Sequence, residues 1–220
     1  MRGVIDRSAG RSRLRVSEAL ALLAPAIGAL VARLVPAYPE PRAFWSGLVV
    51  QLALLAAPLA MLRARQAPAT IGLGRRGWRR SLLLGGAYCL VYLALLVVAA
   101  RYGLTTSHFD AARRRLGLAV VLALYLPFWG LAEATWMAYL LALVQRALIG
   151  PGPLTWRAVG IAGLWFGVLH AVVQIVLYRQ SPAAAAGYVL VGLLLVAAGS
   201  IPRLTGNAWG MVLFWIVSNF

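Results

Sequence analysis

Hydrophobic and polar positions segregate into long blocks along this chain. Apolar runs occupy residues 18–34, 44–62, 82–100, 116–148, 159–177, 183–201 and 208–220, with arginine, proline and glycine gathered between them. Runs of this length suit a hydrocarbon layer about 30 Å thick, which takes about 20 helical residues to cross. The run 116–148 is too long for one straight crossing at about 1.5 Å per residue. Pro127 and Gly130 are expected to divide it into two helices, giving about seven to eight in all. Only helices and closed barrels satisfy backbone polar groups in lipid, so the pattern predicts an all-α polytopic integral membrane protein.

Composition supports this reading. With 62% hydrophobic and 12% charged residues, a soluble domain of 220 residues could not cover its apolar surface. The net charge of +16 comes from arginine alone, since the chain has no lysine. These arginines lie between the apolar runs instead of forming one basic domain, which argues for membrane lipids as partners and against nucleic acid. Absent lysine beside abundant alanine and glycine suggests a bacterial, GC-rich source. Residues 1–15 hold Arg2, Arg7, Arg11, Arg13 and Arg15 against Asp6, so this tail is expected in the cytoplasm, ahead of one transmembrane domain over 16–220 in the bacterial cytoplasmic membrane. The segment 101–115, with His108, Asp110 and three consecutive arginines, would then fall outside, against that charge rule. The one cysteine, Cys89, lies within an apolar run and reads as a packing residue, with no intrachain disulfide possible.

Against this background a carboxylate in the run 116–148 stands out. Glu133 has two readings: a helix-start acid just after the Pro127/Gly130 break, favoured by the helix dipole, or a functional group at membrane depth. Other polar groups at that depth are His170, Gln174 and Asn219, with Glu18 near the start of the first run. Three segments in the second half of the chain thus each supply one group able to do acid, base or hydrogen-bonding work. A buried glutamate beside a neutral histidine could hold and deprotonate a water, and the Asn219 amide could donate to a developing oxyanion. Two histidines, one of them in a connecting segment, make a poor ligand set for catalytic zinc, so no metal or cofactor is expected. No GxSxG, Walker-type loop or dinucleotide fingerprint occurs.

The order of these residues resembles the CPBP family of intramembrane endopeptidases, also called ABI, which includes the CAAX prenyl endopeptidases. That family carries EExxxR on one helix, FxxxH on a later one and HxxxN near the end. Four stretches over residues 70–219 are similar: TIGLGRRGWRRSLLLGG to the basic segment before a transmembrane helix, AEATWMAYLL to the glutamate helix, LWFGVLHAV to FxxxH through Phe166 and His170, and RLTGNAWGMVLFWIVSN to the final segment. Three positions depart from the pattern. Ala134 stands for the second glutamate, Ala138 for the arginine and Trp215 for the second histidine. The first two are four residues apart on one helical face, where family members could pair opposite charges; losing both leaves no uncompensated buried charge.

The resemblance implies a CAAX prenyl endopeptidase-like bundle in which Glu133 and His170 activate water, with Asn219 on the oxyanion side. Trp215 is either a packing residue or a possible oxyanion donor, since an indole N–H donates but never exchanges a proton. The implied activity is metal-free hydrolysis of a peptide bond in a membrane-associated or lipidated protein or peptide. The alternative is a catalytically silent member serving as a membrane binding, immunity or scaffold subunit.

Overall fold

A computed structural model describes residues 15–34, 42–102 and 108–219. The basic tail up to residue 14, the proline-bearing segment 35–41 and the side chains of His108 and Asp110 lie outside what is described. Among those described there are only helices. Six helical stretches are long and apolar enough to cross a membrane. In order they are α1 (Val16–Leu34), the stretch Arg42–Arg63, α4 (Trp78–Arg101), the stretch Leu118–Ile149, α8 (Trp156–Tyr178) and the stretch Pro182–Thr205. Arg42–Arg63 comprises α2 (Arg42–Ala53) and α3 (Ala56–Arg63), and a further helix, α5 (His108–Leu116), occupies the expected polar connection. A shorter apolar helix, α11 (Trp209–Ser218), closes the described chain.

With α11 the described chain has seven apolar helical stretches, the lower of the two expected counts, because Pro127 and Gly130 do not split their run. Instead α6 (Leu118–Tyr125) leads through a π-helical segment, Leu126–Ala132, straight into α7 (Glu133–Val144). Proline lacks an N–H and its ring clashes with the carbonyl four residues back; a wider π turn relieves both problems without ending the helix. Gly130 serves a different purpose. A Cβ there would come within 2.9 Å of Ile216 Cγ1, so the missing side chain admits α11 to the bulge. Pro202, just past the apolar run 183–201, is also helical: beyond α9 (Pro182–Ala186) it lies inside α10 (Gly192–Thr205), which ends at Gly206 with φ +70°.

Helix α7 runs through the middle of the bundle. Ten of its side chains, from Glu133 to Val144, are buried. Around it, helices meet through residues without bulk: α4 lies on α11 where Ser81 and Gly85 face Gly210, and a Cβ on Gly210 would run into the Ser81 carbonyl. Helix α8 crosses the last spanning stretch the same way, with Gly163 and Gly167 against Gly192 and Val189. Lipid offers no hydrophobic drive for helix association, so close backbone approach and the dispersion it allows are what hold such crossings. The outer face of α4 is left to lipid by Leu83, Leu90, Val91 and Leu95.

The turn before α11 is fastened by one amide. Asn207, 1% exposed, donates from Nδ2 to the carbonyls of Gly74 at 2.8 Å and Arg76 at 2.9 Å, and its Oδ1 accepts the Trp209 N–H at 3.0 Å. Ser81 adds two bonds, donating to the Asn207 carbonyl and accepting from the Gly210 N–H. The basic segment before α4 and the segment before α11 are therefore one unit. Replacing Asn207 with Ala strands two carbonyls and an N–H, so a loss of about 1 to 3 kcal/mol is expected. A melting temperature in detergent equal to that of the wild type would contradict this assignment.

Candidate active site

Glu133 follows the π-helical segment, midway along the Leu118–Ile149 stretch. Ala132 before it already has helical dihedrals, φ −66° and ψ −45°, so there is no free helix start for the carboxylate to cap. The reading of Glu133 as a helix-start acid therefore gives way. Its side chain turns to another helix: the carboxylate, 6% exposed, accepts a hydrogen bond from Gln51 Nε2 of α2 at 3.2 Å.

His170 lies on α8, one turn beyond Phe166. Its Nδ1 is 3.1 Å from the Phe166 carbonyl. A carbonyl can only accept, so Nδ1 carries the proton of the neutral ring and Nε2 is its basic nitrogen. The Phe166 ring packs on the imidazole with centroids 4.3 Å apart and meets Trp215 edge-on at 5.4 Å.

Trp215 is 4% exposed, and its indole N–H is buried with no hydrogen-bond partner, close to the Glu133 carboxylate but outside bonding geometry. Buried donors are rarely left unpaired, and when they are, the site usually has a reason. Gln51 matches it, because donating through Nε2 leaves its Oε1 as a buried acceptor with no partner.

Asn219 differs from expectation. Its Nδ2 donates to the carbonyls of Trp129 at 3.3 Å and Trp215 at 3.0 Å, which uses both amide hydrogens. In this geometry Asn219 caps the end of α11 and ties it to the π-helical segment, with no donor left for an oxyanion. The Trp215 indole N–H lies instead against the Glu133 carboxylate.

Glu133, His170, Trp215, Asn219 and Gln51 all line one cavity of about 390 Å³. Pro25, Val50 and Leu54 give it apolar walls, and Gln174, Tyr178 and Gln180 add polar groups toward the end of α8. Glu18 lies elsewhere, paired with Arg146 at 2.6 Å. Ala134 and Ala138, 0% and 2% exposed, are buried and do not line this cavity, Ala138 lining a separate one. At the two positions where the CPBP pattern has glutamate and arginine, this chain therefore packs methyl groups. Among the described residues no three His, Cys, Asp or Glu side chains converge.

Gln51 escaped the sequence reading because it belongs to the first half of the chain, away from the three motif segments. The signal was present nonetheless: it is a lone amide inside the apolar run 44–62. In comparisons with protein-family models, curated proteins and solved structures, nothing matches this chain. The likeness to CPBP endopeptidases rests on its four sequence stretches.

A carboxylate buried with one amide donor is held at a cost in stability, which a site built for reactivity tolerates. Glu133→Gln keeps the shape and the bond from Gln51 but removes the charge. It is expected to stabilise the protein by about 1 kcal/mol or more, read as a higher melting temperature in detergent at neutral pH. A clear decrease would show that the carboxylate is a structural tie.

Proposed function

We propose that this protein is an intramembrane endopeptidase of the CPBP type, in the cytoplasmic membrane of a bacterium with its N-terminus in the cytoplasm. It would hydrolyse a peptide bond in a membrane-associated or lipidated protein or peptide. The observation that carries the reading is the convergence of Glu133, His170 and the unpaired Trp215 N–H on one cavity between apolar helices.

The chemistry follows from these groups. A water between Glu133 and His170 Nε2 gives up a proton to this pair as its oxygen attacks the scissile carbonyl carbon. Negative charge then builds on the carbonyl oxygen, to which the Trp215 N–H would donate in the proposed reaction. Collapse of the tetrahedral intermediate breaks the C–N bond, and the stored proton goes to the leaving amine. Gln51 holds the Glu133 carboxylate in position, and Phe166 holds the imidazole in the tautomer that leaves Nε2 basic.

A second reading has its own supporting observation. With Asn219 committed to backbone carbonyls, the oxyanion side has one donor where the family pattern supplies two side chains. A cavity with a carboxylate, an unpaired acceptor and an unpaired donor is also a good binding site for a peptide that is never cut. Activity separates the two.

Purified protein offered a library of membrane-anchored peptides is expected to release cleaved product, and Glu133→Ala and His170→Ala to abolish it. Trp215→Phe should slow turnover by about 10² to 10³-fold, the typical cost of losing one oxyanion donor. Trp215→His should be faster than Trp215→Phe. Binding without cleavage by the wild type and by both alanine variants would favour the silent-member reading.

A further inference from the structure

A second cavity, of about 540 Å³, is lined by the segment before α4 and the end of the Leu118–Ile149 stretch. It takes no part in the proposed hydrolysis. Its walls come from the short 3-10 turn Pro68–Ile71, the end of α7, the loop 150–153 and the turn between α10 and α11. We propose that it binds a phosphate group, with Arg146 and Arg203 as its two cationic contacts.

The two arginines reach the cavity from separate parts of the bundle, and no carboxylate lines it. Arg146 is held from outside: its Nη2 pairs with Glu18 Oε1 at 2.6 Å, while Glu18 Oε2 accepts the Arg15 N–H at 2.9 Å. One carboxylate thus fixes one end of the guanidinium fork and leaves its other donors available. Arg203 has no carboxylate partner among the described residues. Its guanidinium rests on the Trp156 ring at 5.8 Å, and its Nε is buried without an acceptor. A guanidinium with a buried, unpaired Nε–H and no carboxylate beside it offers a donor that an incoming anion can satisfy.

The cavity is a built feature rather than a gap beneath a loose loop. Gln145 accepts from both the N–H and the hydroxyl of Thr155, each at 2.9 Å, and donates to the Gly150 carbonyl at 3.0 Å. One buried amide therefore braces the loop 150–153 against α8. The same cavity has apolar walls, among them Ile71, Leu141 and Leu154. Two guanidiniums and apolar walls in one cavity of a membrane bundle suit a phosphate attached to an apolar remainder. The phosphate could belong to a phospholipid headgroup or be free, and guanidinium forks recognise either.

The test uses the full-length protein in an uncharged detergent. Binding of three probes is measured by native mass spectrometry and by shift in melting temperature: a short-chain phosphatidylglycerol, inorganic phosphate, and a diacylglycerol with the same chains but no phosphate. The expected result is binding of phosphatidylglycerol, weakened at least about tenfold in Arg203→Gln and less than about twofold in Arg79→Gln, whose arginine lies outside this cavity. Binding of inorganic phosphate as well, with the same loss in Arg203→Gln, identifies a site open to free phosphate; failure of phosphate alone identifies a lipid headgroup site. Phosphate bound without the lipid identifies a soluble ligand. Diacylglycerol binding as tightly as phosphatidylglycerol, no binding of either phosphate-bearing probe, or equal losses in the two variants would overturn the proposal. If Arg203→Gln does not fold, the wild-type comparison of phosphatidylglycerol with diacylglycerol decides alone.

Discussion

A carboxylate held between apolar helices must be neutral, paired or turned toward a polar space, and much of this bundle is arranged around that requirement at Glu133. Among the described residues no arginine pairs with it, and the chain has no lysine. Its hydrogen-bond partner is the Gln51 amide, which belongs to another span, so the bond fixes α2 against α7 at the depth of the cavity. The polar space is supplied by His170, Trp215 and Asn219 from two further helices. Their placement depends in turn on how closely those helices can approach.

That approach is governed by small residues. The Gly85–Gly210 crossing puts α11 against α4, and Gly130 lets Ile216 of α11 sit on the π-helical segment. The outcome is that Trp215, near the middle of α11, faces Phe166 and the cavity, while Asn219 at its end reaches the Trp129 carbonyl. Asn207 locks the start of the same helix to the basic segment before α4. A helix of ten residues, too short to be among the six membrane-crossing stretches, is thus fixed at both ends and aims one indole at the site.

Much of this was legible in the sequence. Blocks of apolar residues about 20 long specify membrane helices because the backbone has no alternative in lipid. Glu133, His170, Trp215 and Asn219 could be picked out because each is a polar or motif position within such a block, and all four reach one cavity. What could not be read was the handling of Pro127. Whether proline ends a helix or is absorbed into a π turn depends on its neighbours in space, here the α11 side chain packed beside Gly130. The exact duty of Asn219 was also hidden, since an amide offers donors and an acceptor, and only the carbonyls around it determine which are spent. Gln51 shows the same limit from the other side: an isolated amide in an apolar run gains meaning only when a carboxylate lies opposite.

The three departures from the CPBP pattern acquire physical content in this fold. Ala134 and Ala138 are buried methyl groups and strand no charge. Trp215 keeps a donor at the cavity while giving up the ability to exchange a proton. The central claim is that water is activated at Glu133, and cleavage of a membrane-anchored peptide in heavy-oxygen water tests it most directly. The account predicts one solvent oxygen in the newly formed carboxylate from the wild type and no product from Glu133→Gln. Product from Glu133→Gln at the wild-type rate, or a new carboxylate without solvent oxygen, would contradict it.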